Sequence, residues 1–324
     1  MAEPTNPHDA LFKVAFSKPE AAASQLRALL PSELLAELDL AAIKVRPPNY
    51  IDPELRQSQS DLLFEVPQRS RLPALIHVIY EHQSTPDPFM PYRLLRYMLR
   101  VWEGWLERNK PKKPTRLPPV IPIVLYHGER AWNVPRSLGD MLDVDPDLLP
   151  VIQRHVPDFA FVLDDLSQRR DEELRARTAP PLTVSALVLF KWGREDVDLL
   201  AVWRSLADPI KKLQAEPKWT VSLQQLARYT LSVGDVSRED LARVARELAG
   251  PEAEETIMST AEKLRQEGAL QGRREVLLRQ LRIKFGRDLP EAALARVEAA
   301  NLDELDRWFE RVLTASNLDE VFAE

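Results

Sequence analysis

The chain has 324 residues, 44% hydrophobic and 29% charged, with a formal net charge of −6. That profile suits a soluble globular protein of one large or several small domains, not a uniformly basic nucleic-acid binder. There is no cysteine, only nine glycines and no P-loop or GxGxxG pattern, which excludes disulfides, cysteine zinc sites and a glycine-rich phosphate loop.

The first stretch, NPHDALFKVAF, predicts a helix. Pro7 suits its first turn and Asp9 the positive end of its dipole. Leu11, Phe12, Ala15 and Phe16 supply an apolar face at helical spacing. The polar start MAEPTNPHDA has no signal-peptide core, and no run reaches the ~18 apolar residues of a membrane span, so a cytoplasmic protein is expected. PEAAASQLRALL and PSELLAEL are further helices opened by proline. AIKVR is a short strand stopped by Pro47-Pro48. SDLLFEV alternates, with Leu62, Phe64 and Val66 facing one way and Asp61, Leu63 and Glu65 the other. After the turn RSRLP, ALIHVIYEHQ reads as a central strand buried on both faces. PDPFMPYRLLRYMLRVWEGWLERNK predicts a mostly buried helix with a narrow polar stripe of Arg93, Arg96 and Arg100. PPVIPIVLYHG is a strand ended by glycine, and DFAFVLDDL a further strand.

From about Asp171 only helices follow. Tryptophans 192, 203, 219 and 308 lie on amphipathic patterns and read as core. Gly250-Pro251 is a stop. A long charged helix then carries an imperfect seam that includes Ile257, Ala261, Leu277 and Leu281. Gly268 and Gly272 weaken it by about 1 kcal/mol each relative to alanine. Asn301 and Glu304 have the spacing of a capping box. Strands in succession imply hairpins, and strand–helix–strand a parallel crossover. The expected fold is therefore an α/β sandwich with a central mixed sheet flanked by helices, followed by an all-helical C-terminal region. The expected divisions are an α/β core over 1–170, a helical extension over 171–250, a charged helical linker over 251–275 and a small helical domain over 276–324. The seam is too sparse for a self-contained core, so the C-terminal helices are expected to form a homo-oligomer.

The chemistry concentrates where the central strand ends. Glu81 and Gln83, two apart, share a face. Asp61 can reach that face if the two strands pair. Two carboxylates in a partly dry site repel, and a divalent cation relieves the repulsion. The same spacing would also arise from charges at a strand edge. Tyr92 to Arg116 holds eight Lys/Arg and two Glu, a net of +6, either a phosphate-binding patch or a solvated face. His82 points away from Glu81 and reads as structural. His8 reads as local to the first helix, and His127 as a turn residue.

Five stretches in this order and spacing, HDALFKVAF, SDLLFEV, YEHQS, MPYRLLRYM and PIVLYHG, resemble the Rpn family of recombination-promoting nucleases. That family belongs to the PD-(D/E)XK nuclease superfamily, whose core runs α-β-β-β-α-β. The resemblance covers roughly residues 7–166. It implies a Mg²⁺-dependent (or Mn²⁺-dependent) DNA endonuclease linked to recombination or mobile elements. Asp61 and Glu81 would be its metal ligands, Asp9 a supporting carboxylate, and Gln83 would stand where lysine is usual. A glutamine amide cannot take up a proton in this pH range, so Gln83 can only orient water. Arg93, Arg96, Arg100, Lys112 and Lys113 would meet DNA phosphates. The alternative is a non-catalytic nucleic-acid-binding or assembly module that keeps the nuclease fold. Residues 275–322 are similar to a small helical domain of unassigned function.

Overall fold

In the computed structural model, which describes residues 6–46, 62–69, 75–145, 147–194 and 196–323, the elements follow the order read from the sequence. Helices α1 (Pro7–Phe16), α2 (Pro19–Leu29) and α3 (Ser32–Ala36) precede strands β1 (Lys44–Arg46), β2 (Leu62–Pro67) and β3 (Leu75–Gln83). Next come α4 (Met90–Asn109), β4 (Val120–Tyr126), α5 (Leu149–Ile152) and β5 (Val162–Asp165). The described strands form one sheet in the order β1-β2-β3-β4-β5. The pairs β1–β2 and β2–β3 are antiparallel, and β3–β4 and β4–β5 parallel. The last β2–β3 pair sets Leu62 opposite Tyr80. Asp61 and most of the RSRLP turn lie outside the described residues.

Alternation along the strands divides two layers. Leu62, Phe64, Val66, Val78 and Tyr80 join a core with Phe12 and Phe16 of α1. Leu63, Val120 and Val124 face the other way, onto Met90, Leu94, Tyr97 and Val101 of α4. Complete burial of each such aliphatic or phenyl group contributes about 1.5–3 kcal/mol. The α-β-β-β-α-β order and mixed sheet are those of a PD-(D/E)XK-like core.

The helices that follow are α6 (Asp171–Arg175), α7 (Pro181–Trp192), α8 (Leu199–Ser205), α9 (Ala207–Leu213), α10 (Trp219–Val233) and α11 (Arg238–Ala249). They share the α1-side core, through Leu187, Phe190, Trp203 and Leu226 among others. Thr183 donates to the Ala15 carbonyl at 2.8 Å, and Trp203 Nε1 to Thr230 Oγ1 at 2.9 Å. Gly250 turns the chain at φ +84°, a conformation that favours glycine. Then α12 (Pro251–Phe285) runs 35 residues without a break at Gly268 or Gly272. It ends on α13 (Glu291–Ala299), α14 (Leu302–Thr314) and α15 (Leu318–Val321). Asn301 and Glu304 form the full capping box. Leu277 and Leu281 are buried with Val297, Leu305, Trp308 and Phe322 in a second core. The seam is thus covered within the chain, which removes the reason given above for self-association through these helices.

One expectation is corrected. Helix α4 is buried on one face only: Tyr92, Leu99 and Leu106 are 50%, 46% and 42% exposed. The helix has two apolar stripes, and the sheet covers one.

Candidate active site at the end of the central strand

Strand β3 ends where Ser84, Thr85 and Pro86 break the pairing. The parity of the strand turns Glu81 and Gln83 toward α4. Gln83 Nε2 donates to Glu81 Oε1 at 2.7 Å. Arg93, in the first turn of α4, donates from Nη2 to the same oxygen at 2.8 Å and from Nη1 to Asp87 Oδ2 at 2.8 Å. Asp87 in turn accepts from the Phe89 backbone N–H at 2.8 Å. Arg93 Nη2 also reaches the Tyr97 hydroxyl at 3.5 Å. The guanidinium fork therefore ties the strand end to the helix start.

Glu81 is 1% exposed, and its Oε2 has no hydrogen-bond partner among the described residues. Burial raises its carboxyl above the ordinary value, against the opposing pull of Arg93, His82 and Gln83, and Asp9 adds to the rise. Burial opposes the charge of Arg93, but Glu81, Tyr97 and Asp87 together hold the guanidinium above its usual range. An orphaned carboxylate oxygen at a buried position fits a hard divalent cation, which takes oxygen ligands. Among the described residues no group of three His, Asp or Glu side chains is placed to hold a metal; a second acidic ligand would have to come from Asp61, outside that set.

Of the other sequence-stretch candidates, Arg96 is exposed and Arg100 pairs with Glu103 at 3.1 Å. Lys112 and Lys113 are exposed just beyond the C-terminal end of α4. By helix length they sit about 30 Å from Arg93. The basic stretch is therefore spread along α4 and is not gathered at Glu81.

The opposite face of β3 is a different environment. His82 Nε2 lies 2.8 Å from Asp9 Oδ1, so the Asp9 carboxylate is held across the strand from Glu81. His82 packs edge-on to Phe12 and near His127, at centroid separations of 4.8 and 5.5 Å. The His8 ring lies 4.8 Å from that of His127, tilted by 40°, and its Nδ1 lies 3.1 Å from the Tyr229 hydroxyl. Burial, with neighbouring His82, lowers His8 to about 4. Burial and the other two histidines push His127 well below 6.5. His127 is no mere turn residue: its side chain is 4% exposed and its Nε2 has no partner among the described residues. His8 likewise reaches beyond its own helix.

Sequence reasoning missed Asp87, Tyr97 and the aromatic–histidine cluster. Tyr97 had a signal, the i,i+4 spacing from Arg93. Residues 8, 82, 127 and 229 meet only through the tertiary fold, and no local pattern joins them.

A family model described as "Putative transposase, YhgA-like" matches residues 6–220. The chain is 31% identical over 306 residues to the inactive recombination-promoting nuclease-like protein RpnE of Escherichia coli strain K12, covering 91% of this chain and 96% of that protein. It is 31% identical to the recombination-promoting nuclease RpnA of the same strain, covering 82% of this chain and 85% of that one. To the recombination-promoting nuclease RpnD of Escherichia coli O157:H7 it is 32% identical, covering 80% and 94%. No solved structure matches the chain.

Proposed function

This chain belongs to the YhgA-like transposase family together with the Rpn recombination-promoting nucleases, and from that premise we propose that it is a metal-dependent DNA endonuclease acting in recombination or mobile-element biology. The observation that carries the reading is the buried Glu81, clamped at Oε1 by Gln83 and Arg93 and open at Oε2. Asp61 and Glu81 would hold the Mg²⁺ or Mn²⁺. The β2–β3 register supports this, because Leu62 and Tyr80, their immediate neighbours in sequence, are paired. The bound cation would supply Lewis-acid polarisation at the scissile phosphate.

The chain's own residues do the positioning. Arg93 and Gln83 aim the Glu81 carboxylate and fix which oxygen is free. Gln83 cannot take up a proton, so its amide carbonyl orients water and does not act as base. Arg93 is thereby a positioning residue, and DNA phosphates fall to Arg100, Lys112 and Lys113. The span of about 30 Å along α4 approaches one turn of duplex, 34–36 Å. Asp9 acts through His82, on the far side of the strand.

The second reading, a non-catalytic nucleic-acid-binding or assembly module, is favoured by the likeness to RpnE, named an inactive nuclease-like protein, to which this chain is similar nearly end to end. Plasmid DNA with Mg²⁺, Mn²⁺ or EDTA separates the two. Cation-dependent nicking, lost in Asp61→Ala and in Glu81→Ala, is the expected result. Equal cleavage by the wild type and both variants would reject the site. Cation-independent DNA binding without cleavage would select the second reading.

A further inference from the structure

Helix α4 has two apolar stripes a half-turn apart. One, through Met90, Leu94, Tyr97, Met98 and Val101, is buried on the sheet. The other carries Tyr92, Leu99 and Leu106 at 50%, 46% and 42% exposure. These three recur every seven residues. Leu95 and Trp102, half-buried beside them, fall three residues after Tyr92 and Leu99. Together they make a heptad seam with Tyr92, Leu99 and Leu106 at a, and Leu95 and Trp102 at d, over a helix of 20 residues. Trp102 also lies against the sheet-side core and donates its Nε1–H to the Pro118 carbonyl at 2.8 Å, but the core packing of α4 gives no reason for Tyr92, Leu99 and Leu106, whose outer faces nothing among the described residues covers.

Charge identifies the occupant. The two residues flanking the seam at e are Arg96 and Glu103, opposite in sign and again seven apart. Consider an antiparallel copy of the same helix, related by a two-fold axis between Leu99 and Trp102. Leu99 then meets the partner's Trp102, and Leu95 meets the partner's Leu106. Arg96 comes within side-chain reach of the partner's Glu103, and Glu103 of the partner's Arg96. A parallel copy in register would set Arg96 beside the partner's Pro91 and Glu103 beside the partner's Met98, with no charge pair across the seam. An isologous interface requires this self-complementarity. Arg96 has no ion-pair partner among the described residues, whereas Glu103 has only its neighbour Arg100, 3.1 Å away on the exposed surface, an arrangement that costs little to exchange.

We propose that α4 pairs antiparallel with α4 of a second copy of this chain, forming a two-fold dimer through the Tyr92–Leu106 seam. The same helix holds Glu81 through Arg93, so the dimer sets two candidate sites in one fixed symmetric relation; that consequence rests on the nuclease reading, but the pairing does not. Charge exchange in the full-length protein tests it by sedimentation velocity over a concentration series. The wild type should show a concentration-dependent dimer. Leu99→Glu should sediment as monomer with unchanged circular dichroism. Arg96→Glu should weaken association at least tenfold, and Arg96→Glu combined with Glu103→Arg should restore it. A wild type that stays monomeric throughout overturns the proposal. So does a dimer that survives Leu99→Glu, or a double variant no better than Arg96→Glu. Loss of DNA binding in Arg96→Glu with association unchanged would make the seam a DNA contact, and would also overturn it. Because the readout is mass, a chain that cuts no DNA can still dimerise, and the two readings fail separately.

Discussion

On one face of β3, Glu81 and Gln83 meet a single arginine and leave one carboxylate oxygen open; on the other face, one residue away, His82 meets Asp9 within a nest of Phe12, Phe190, His8 and His127. Both faces bury titratable groups, but they manage the cost differently. The α4 side keeps a carboxylate by giving it a fixed cation, Arg93, and stops short of satisfying it. The α1 side holds His8 and His127 by desolvation, which favours their neutral forms. A half-satisfied buried acid is expensive in a merely structural position, whereas aromatic packing around neutral rings is ordinary core. The difference separates a surface prepared for a ligand from one prepared for the fold, and four measurements can break or sharpen it.

The largest effect should follow Glu81→Ala. Losing a direct cation ligand should reduce plasmid cleavage by more than the ~100-fold typical of an outer supporting group, with urea stability unchanged or raised because a buried charge is gone. A large loss of stability would move Glu81 into the structural class. Phe12→Ala tests the other face. A fully buried phenylalanine removed from the core should cost about 3–5 kcal/mol in urea unfolding, with Mn²⁺ affinity in the surviving folded protein unaltered.

Arg93→Ala comes next. As the clamp on Glu81 it should weaken Mn²⁺ binding by roughly 10–100-fold, measured by calorimetry, with Arg93→Lys intermediate. If DNA affinity and its salt dependence fall instead while Mn²⁺ binding holds, Arg93 is a phosphate contact after all. The smallest effect is in the pH dependence of stability, where the faces should have opposite signs. His8 titrates near 4 when folded and near 6.5 when unfolded. As pH falls below 6.5 the unfolded chain takes up the proton first, and stability declines by up to about 1.4 kcal/mol per pH unit. Glu81 is raised above 4.5, so its folded form takes up the proton first and stability gains as pH falls through the folded value. Urea midpoints from about pH 7 to pH 5 should therefore fall less steeply in His8→Phe, and Glu81→Gln should lack the wild type's gain as pH falls through the folded value of Glu81. Parallel curves for all three proteins would remove titration from the contrast.

Much of this architecture is legible in the chain because it is encoded at short range. Alternation in SDLLFEV and the parity of Glu81, His82 and Gln83 report strand faces directly. Asn301 and Glu304 identify their cap by spacing alone, and Gly250 its turn. Tryptophans 203 and 308 fall in cores as their helical patterns require. What was not legible depends on who meets whom at long range. Arg93 looked like one of three equivalent arginines on a stripe, and only the strand-to-helix turn brings it onto Glu81. The burial of α4 was overestimated because periodicity records two apolar stripes without saying which the sheet covers. The sparse seam of α12 looked unpartnered because its partners, α10 and α11 at one end and α13 and α14 at the other, are separate helices. The candidate site itself was half legible: Glu81 and Gln83 come together as read, and the assignment of Asp61 stays a proposal to be tested by its substitution.

The 35-residue α12 enters the first core through Ala253 and Ile257 and the second through Leu277 and Leu281. From Ile257 to Leu277, at 100° per residue, the burying face turns by roughly 200°, so the two cores grip nearly opposite sides of one rod. The number of residues between them is consequently an angular phase. Each residue added between Gly268 and Gly272 would rotate the second core by about 100° and advance it by about 1.5 Å. The C-terminal helices are thereby aimed, and their direction is stored as an integer in the sequence.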